Sequence, residues 1–136
     1  MTSGETIAAR AQALVGVRFR PQGRDPERGL DCVGAAAAAA GVATERIRHD
    51  YPMRGHCLAE IEHALCDLGC RPVPEKEVSR AGDVIVCEAG PAQFHLLVST
   101  WGAFVHADAG LGRVVERPFP IPWRIAGVWR LATEDE

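Results

Sequence analysis

The sequence predicts an α+β fold, with helices in the first half of the chain and short strands in the second. Apolar residues recur at helical spacing near the N-terminus and again around residues 58–68. From residue 84 onward, short β-rich segments are separated by Gly, Pro or Asp. Helices followed by strands are typical of helices packed against an antiparallel sheet or small barrel, here of about five strands. The 136 residues fit one domain, 1–136.

The first helix is predicted at the N-terminus. Thr2 and Glu5 have the spacing of a capping box. A helical period follows in Ile7, Ala8, Ala11, Leu14 and Val15, and Gly16 can end the helix. The stretch 17–30 is polar and rich in Gly, Pro and Arg, which indicates a long ordered loop.

A thiol stands where this loop ends and a second helix begins. Asp31 can cap the helix Cys32–Ala40, which contains six consecutive alanines and stops at Gly41. Unpaired N–H groups at a helix start carry partial positive charge, which favours the reactive thiolate. Cys32 is therefore a candidate nucleophile, although a lone cysteine is more often an inert buried residue. The charge of Asp31 opposes thiolate formation, so capping is its favoured role over contact with a substrate amine.

A third helix is predicted over residues 56–69, with an apolar stripe on one side. The opposite side of the helix carries histidines and cysteines, which are residue types that bind metals. However, His56 and Cys70 would be about 21 Å apart at 1.5 Å per residue. A zinc site from His63, Cys66 and Cys70 would therefore need a further ligand from elsewhere. A solvated or subunit-facing surface is the favoured interpretation, and we expect no metal or other cofactor. The stripe consists of Leu58, Ile61, Leu65 and Leu68.

Two histidines lie in consecutive predicted strands. A turn centred between Thr100 and Trp101 would place His95 opposite His106, and Leu97 opposite Phe104, on one face of the sheet. One imidazole could then take the thiol proton while the other fixes its tautomer. The predicted strands are 84–87, 94–99, 103–107, 113–116 and 125–131.

The composition of the chain limits the classes of binding partner that the sequence predicts. A net charge of −3 and a pI near 5.9 argue against a nucleic-acid partner, and no apolar run is long enough for membrane insertion. Five cysteines, an odd number, and no export signal at the N-terminus indicate reduced thiols and synthesis in the cytoplasm. A solvated surface is the favoured interpretation for the loop arginines, but Arg24 lies near Cys32 and could bind a substrate carboxylate. Trp123 and Trp129 are interpreted as core or interface residues.

The chain carries several short motifs in a fixed order: GVRF at 16–19, DCVG at 31–34, AGDV at 81–84, HLLV at 95–98 and FVHA at 104–107. Together they resemble the NlpC/P60 cysteine peptidases, which are papain-like cell-wall hydrolases. The motifs RDP at 24–26 and GLGRVVE at 110–116 are similar to one branch of that family, the peptidases of phage tails and gene transfer agents. The resemblance covers almost the whole chain.

The resemblance implies a nucleophile Cys32, a general base and acid His95 and an orienting residue His106. It implies hydrolysis of a peptidoglycan stem-peptide amide, between a D-γ-glutamyl residue and diaminopimelate. Phe19 stands where the family usually has Tyr. The candidate residues for contact with the substrate are Phe19, Asp31 and Arg24.

The same resemblance implies tail or baseplate proteins of a phage-like particle as partners, with action in the bacterial cell wall or periplasm. A structural tail-tip subunit with a peptidase fold and little activity is the alternative. Acyl transfer on lipids uses a similar Cys/His pair, but no hydrophobic anchor is evident.

Overall fold

The computed structural model describes residues 3–21, 23–42, 58–74, 80–91 and 93–131. Within these ranges the chain forms three helices, a two-stranded hairpin and a six-stranded antiparallel sheet. The α+β class predicted from the sequence is confirmed. None of the helices in these ranges is long and apolar enough to cross a membrane.

The first helix, α1 (Gly4–Ala13), begins one residue later than predicted. Ser3 is its N-cap, and the Ser3 hydroxyl accepts a hydrogen bond from the Thr6 N–H at 3.1 Å. The N-cap is thus Ser3 and not the predicted Thr2. Thr2 itself lies outside the described residues.

The second helix, α2 (Cys32–Ala40), packs against the sheet through small residues. Its alanines are almost entirely buried, so that the helix backbone lies close to the strands beneath. A Cβ on Gly34 would collide with the Gly23 carbonyl oxygen, which explains the glycine in the first turn. The helix stops at Gly41, whose φ of 75° is the left-handed conformation that glycine favours.

The third helix is α3 (Leu58–Asp67). Ile61 and Leu65 of the predicted apolar stripe are buried, as is Leu68 just after the helix. The side chain of Leu58 and residues 56–57 of the predicted helix lie outside the described part of the chain.

The sheet contains all five predicted strands and one more. The strands are β3 (Cys70–Pro72), β4 (Val84–Gly90), β5 (Gln93–Ser99), β6 (Ala103–Asp108), β7 (Arg113–Pro118) and β8 (Arg124–Leu131). Their order in the sheet is β3-β8-β4-β5-β6-β7, with every neighbouring pair antiparallel. The additional strand is β3, which follows α3 and pairs with β8 at the edge of the sheet.

The two faces of the sheet have different partners. On the inner face, side chains such as Val86, Leu96 and Val105 join one core cluster with the helices. On the outer face, a smaller cluster is built on Phe104 and is covered by residues from the segment between β7 and β8. The outer cluster contains Ile85, Cys87, Leu97 and Phe104, with Ile121, Trp123 and Val128 packed against it.

The loop 17–30, predicted to be long and ordered, has regular structure of its own. It contains a hairpin of β1 (Arg24–Asp25) and β2 (Gly29–Leu30). Its first part runs along the edge of β7, where the Val114 N–H donates to the Val17 carbonyl at 2.8 Å. The loop then reaches the start of α2, because Phe19 forms an isolated parallel bridge with Leu30. The hairpin itself was not predicted, because the polar composition of the loop carries no strand signal.

Candidate active site

The two predicted histidines are in direct contact. His95 on β5 and His106 on β6 both lie on the outer face of the sheet. The distance between His95 Nε2 and His106 Nδ1 is 2.7 Å, and the two rings are nearly perpendicular at 89°. One of these nitrogens donates and the other accepts, so each imidazole restricts the orientation and tautomer of the other.

The register that brings them together differs from the predicted one by two residues. Ser99 pairs with Phe104, so Leu97 does not pair with Phe104 as predicted. The turn is centred between Trp101 and Gly102, because Gly102 adopts a φ of 71°. A shift of two keeps every side chain on its predicted face. The histidines therefore meet along a diagonal, where β5 and β6 no longer pair.

Burial keeps both imidazoles neutral. Desolvation, aided by the neighbouring His106, lowers the pKa of His95 from 6.5 to about 4, while the Asp108 carboxylate opposes this shift. The pKa of His106 is also lowered, first by burial and then by Arg117, again against Asp108. A neutral imidazole is the form that can accept a proton, so the pair is in the base form at neutral pH.

The histidine pair borders a cavity of about 410 Å³. Phe19 and Pro21 line one part of it, and His95, His106 and Trp123 line another. Asp108 also lines the cavity, and its carboxylate accepts a hydrogen bond from the Leu111 N–H at 3.0 Å. The cavity has the size of a small-molecule or short-peptide site.

Cys32 occupies the first turn of α2. The Asp31 carboxylate accepts a hydrogen bond from the Gly34 N–H at 2.8 Å, so the predicted capping role is confirmed. Asp31 is fully buried and Cys32 is only 7% exposed. Cys32 belongs to the same core cluster as Leu96 and Val105, each adjacent in sequence to one of the histidines. The thiol is not among the groups that line the cavity.

Phe19 connects the start of α2 with the cavity. Its backbone pairs with Leu30, two residues before Cys32, and its N–H donates to the Gly112 carbonyl at 2.9 Å. Its ring lines the cavity that also contains both histidines. The loop before Cys32 is therefore fixed to the same cavity as the histidine pair.

The remaining candidates have different placements. Arg24 pairs with Leu30 in the β1–β2 hairpin, but its side chain lies outside the described part of the chain. Cys66 is exposed on α3, whereas Cys70 begins β3 and packs in the core. The predicted common arc for His63, Cys66 and Cys70 is therefore wrong, because the helix ends at Asp67 and the chain turns into a strand.

Three residues around the histidines were not predicted. Asp108 follows His106 by two positions, and this strand period could have placed it on the same face. Arg117 pairs with Phe104 across β6 and β7, which requires the register of a second hairpin. Trp123 comes from an irregular segment, for which the sequence offers no periodic signal.

Comparison with known proteins identifies the fold. No protein-family model matches the chain, and no curated protein does. Among solved structures, NlpC2 from Trichomonas vaginalis matches with a TM-score of 0.70 and 20% identity, over 96% of this chain and 47% of that one. RipB, a peptidoglycan hydrolase from Mycobacterium tuberculosis, matches with a TM-score of 0.60 and 23% identity, over 96% of this chain and 65% of that one. The NlpC/p60 domain of the peptidoglycan hydrolase SagA matches with a TM-score of 0.57 and 19% identity, over 97% of this chain and 100% of that domain.

These likenesses show that the chain has the papain-like fold of NlpC/P60 domains. The chain spans less than half the length of the two Trichomonas vaginalis structures, NlpC1 and NlpC2.

Proposed function

We propose that the chain is a cysteine peptidase that cleaves peptidoglycan. The observation that carries the proposal is the 2.7 Å contact of His95 with His106, with Phe19 linking their cavity to the start of α2. A base, an orienting group and a thiol at a helix start are the parts that nucleophilic catalysis by cysteine requires. The fold supports the same conclusion, because the similar structures of SagA and RipB are described as peptidoglycan hydrolases.

The mechanism is an acyl transfer. His95 takes the proton of the Cys32 thiol, and the thiolate attacks the carbonyl carbon of the amide. The backbone N–H of Cys32 stabilises the oxyanion that forms. The C–N bond then breaks as His95 returns the proton to the leaving amine, and water hydrolyses the thioester. His106 holds the ring of His95 in the productive orientation throughout.

We further propose that the scissile bond joins a D-γ-glutamyl residue to diaminopimelate and that Asp31, Phe19 and Arg24 contribute to substrate binding. The placement of Phe19 at the cavity supports its part of this assignment. The phrases RDP at 24–26 and GLGRVVE at 110–116 favour a phage-like or gene transfer agent tail as the carrier. Its tail or baseplate proteins would be the partners, and the bacterial cell wall would be the place of action.

A structural tail-tip subunit is the second candidate. The 7% exposure of Cys32 and the phenylalanine at position 19 favour it, because a buried thiol and a missing hydroxyl both reduce activity. In this case the same fold would serve assembly, and Cys32 would be a core residue.

The substitution Cys32→Ala separates the two candidates. Purified peptidoglycan is digested with the unmodified protein and the variant, and the fragments are identified by mass spectrometry. For a peptidase we expect cleavage to fall at least about 10³-fold, because no other group replaces the nucleophile. The control is Cys66→Ala, which removes an exposed thiol on α3. Equal cleavage by Cys32→Ala and the unmodified protein would rule out the peptidase, and assembly of particles with Cys32→Ala tests the structural role.

A further inference from the structure

A third ring lies against both histidines. The indole of Trp123 is 5.7 Å from the His95 ring and 5.4 Å from the His106 ring, measured between centroids. Both contacts are edge-on, with interplanar angles of 82° and 71°. The same indole also contacts Phe104 at 6.3 Å. The outer side of the imidazole pair is therefore covered by aromatic surface.

A guanidinium group lies against the same indole. The central carbon of Arg117 lies 5.5 Å from the Trp123 ring and 6.0 Å from the Phe104 ring. Arg117 is opposite Phe104 in the β6–β7 ladder, so its position is set by the sheet. A guanidinium over an indole face at such a distance is attracted by the electron density of the ring. Arg117 thus helps to hold the indole over the histidines.

In the described part of the chain, the Nε2 atom of His106 has only aromatic rings as neighbours to which it could donate a hydrogen bond. His106 is 2% exposed, and its Nε2 has no hydrogen-bond partner among the described residues. If His95 accepts a proton on Nδ1, its Nε2 carries hydrogen and donates to His106 Nδ1. The proton of His106 must then be on Nε2, where neighbouring ring faces can act as weak acceptors. Phe104 and Trp123 are the rings in contact with His106.

We propose that Trp123 is a positioning residue, whose indole keeps water away from the His95–His106 hydrogen bond and holds His95 neutral and oriented as the base. The catalytic part of this inference rests on the proposed function. The shielding of the imidazoles does not, because it is a property of the side-chain packing alone.

The titration of His95 tests this shielding in the complete protein. The substitutions leave the other ionisable groups around the pair unchanged, namely Cys87 on β4, Asp108 on β6 and Arg117 on β7. Trp123→Leu admits water, so we expect the pKa of His95, followed by NMR of its ring carbons, to rise from about 4 by at least one unit. Trp123→Phe keeps an aromatic ring, so the rise in the pKa of His95 should be at most half of the rise in Trp123→Leu.

Trp101→Leu is the matched control, since Trp101 is 53% exposed at the β5–β6 turn and should leave the pKa of His95 unchanged. Equal pKa values in Trp123→Leu and the unmodified protein would overturn the proposal, and so would a phenylalanine variant that behaves like the leucine variant. The unmodified protein gives a further test that needs no variant. The indole N–H resonance of Trp123 should titrate with His95, and a pH-independent resonance would contradict the contact.

Activity separates this inference from the proposed function. If the protein cleaves peptidoglycan, Trp123→Leu should lower kcat more than it raises KM and should move the acidic limb of the pH profile upward. If the protein does not cleave peptidoglycan at all, the proposed function fails, while the NMR titration still decides whether Trp123 shields the histidines.

Discussion

Two polar pairs at different places in the fold show how a scaffold contact differs from a reactive one. Arg130 on β8 donates to both oxygens of Asp83, at 2.8 and 3.0 Å, and the Arg80 N–H donates to the same carboxylate at 2.8 Å. His95 and His106 share a single hydrogen bond, and His106 Nε2 has no partner among the described residues.

The difference lies in how completely each pair is satisfied. A buried ion pair with several hydrogen bonds fixes the geometry of the chain next to the sheet. The imidazole pair has one nitrogen, His106 Nε2, without a partner among the described residues, and it lies beside a cavity of about 410 Å³. Polar groups that are incompletely satisfied next to a cavity are candidates for chemistry, whereas satisfied ones contribute to stability.

The largest effect is expected at the histidine pair, whose substitution should reduce catalytic activity much more than stability. His106→Asn removes the ring that orients His95, so we expect cleavage of peptidoglycan to fall by about 10²–10⁴-fold. The melting temperature should change little. His63→Asn, on the exposed face of α3, is the matched control and should retain full activity. A fully active His106→Asn variant would show that the imidazole contact has no catalytic part.

The next effect is expected at the other pair, with the opposite signature. Asp83→Ala leaves the buried guanidinium of Arg130 without its carboxylate, so the free energy of unfolding should fall by about 3–5 kcal/mol. Urea unfolding measures this loss, and the activity of the remaining folded protein should be unchanged. The double variant Asp83→Ala/Arg130→Met should lose less stability than Asp83→Ala alone. If Asp83→Ala is as stable as the unmodified protein, the assignment of this pair to the scaffold is wrong.

The smallest effect is the loss of folding stability that we expect when the pH is lowered. The pKa of His95 is about 4 in the folded protein and 6.5 in the unfolded chain, so the unfolded chain binds more protons between these values. Stability is therefore complete above pH 6.5 and decreases as the pH falls toward 4, by an amount on the order of 1–3 kcal/mol. Urea midpoints at pH 7 and pH 5 measure it. His95→Asn should reduce this pH dependence, and an unchanged slope would contradict the buried, neutral state of His95.

Much of the fold follows from local sequence signals. The strand segments between Gly, Pro and Asp matched the sheet because antiparallel neighbours are joined by short turns with clear signatures. The cap at Asp31 and the stop at Gly41 were both predicted, because each depends only on residues within one turn. The histidine contact was also predictable, since a register error of two does not change the face.

Other features depend on contacts between distant segments. The strand β3 has three residues, and it exists because β8 offers an edge with which it can pair. The hairpin in the loop 17–30 is stabilised by β7 and α2, which its own composition does not reveal. Trp123 reaches the histidines from an irregular segment, so no period in the sequence could place it.

The buried alanines of α2 set the distance between this helix and the sheet. Each buried methyl group acts as a spacer between the helix that carries Cys32 and the strands that carry His95 and His106. Replacing one alanine by a larger residue would push α2, and Cys32 with it, away from the sheet. The position of the Cys32 thiol relative to the sheet is therefore set by small side chains elsewhere on the same helix.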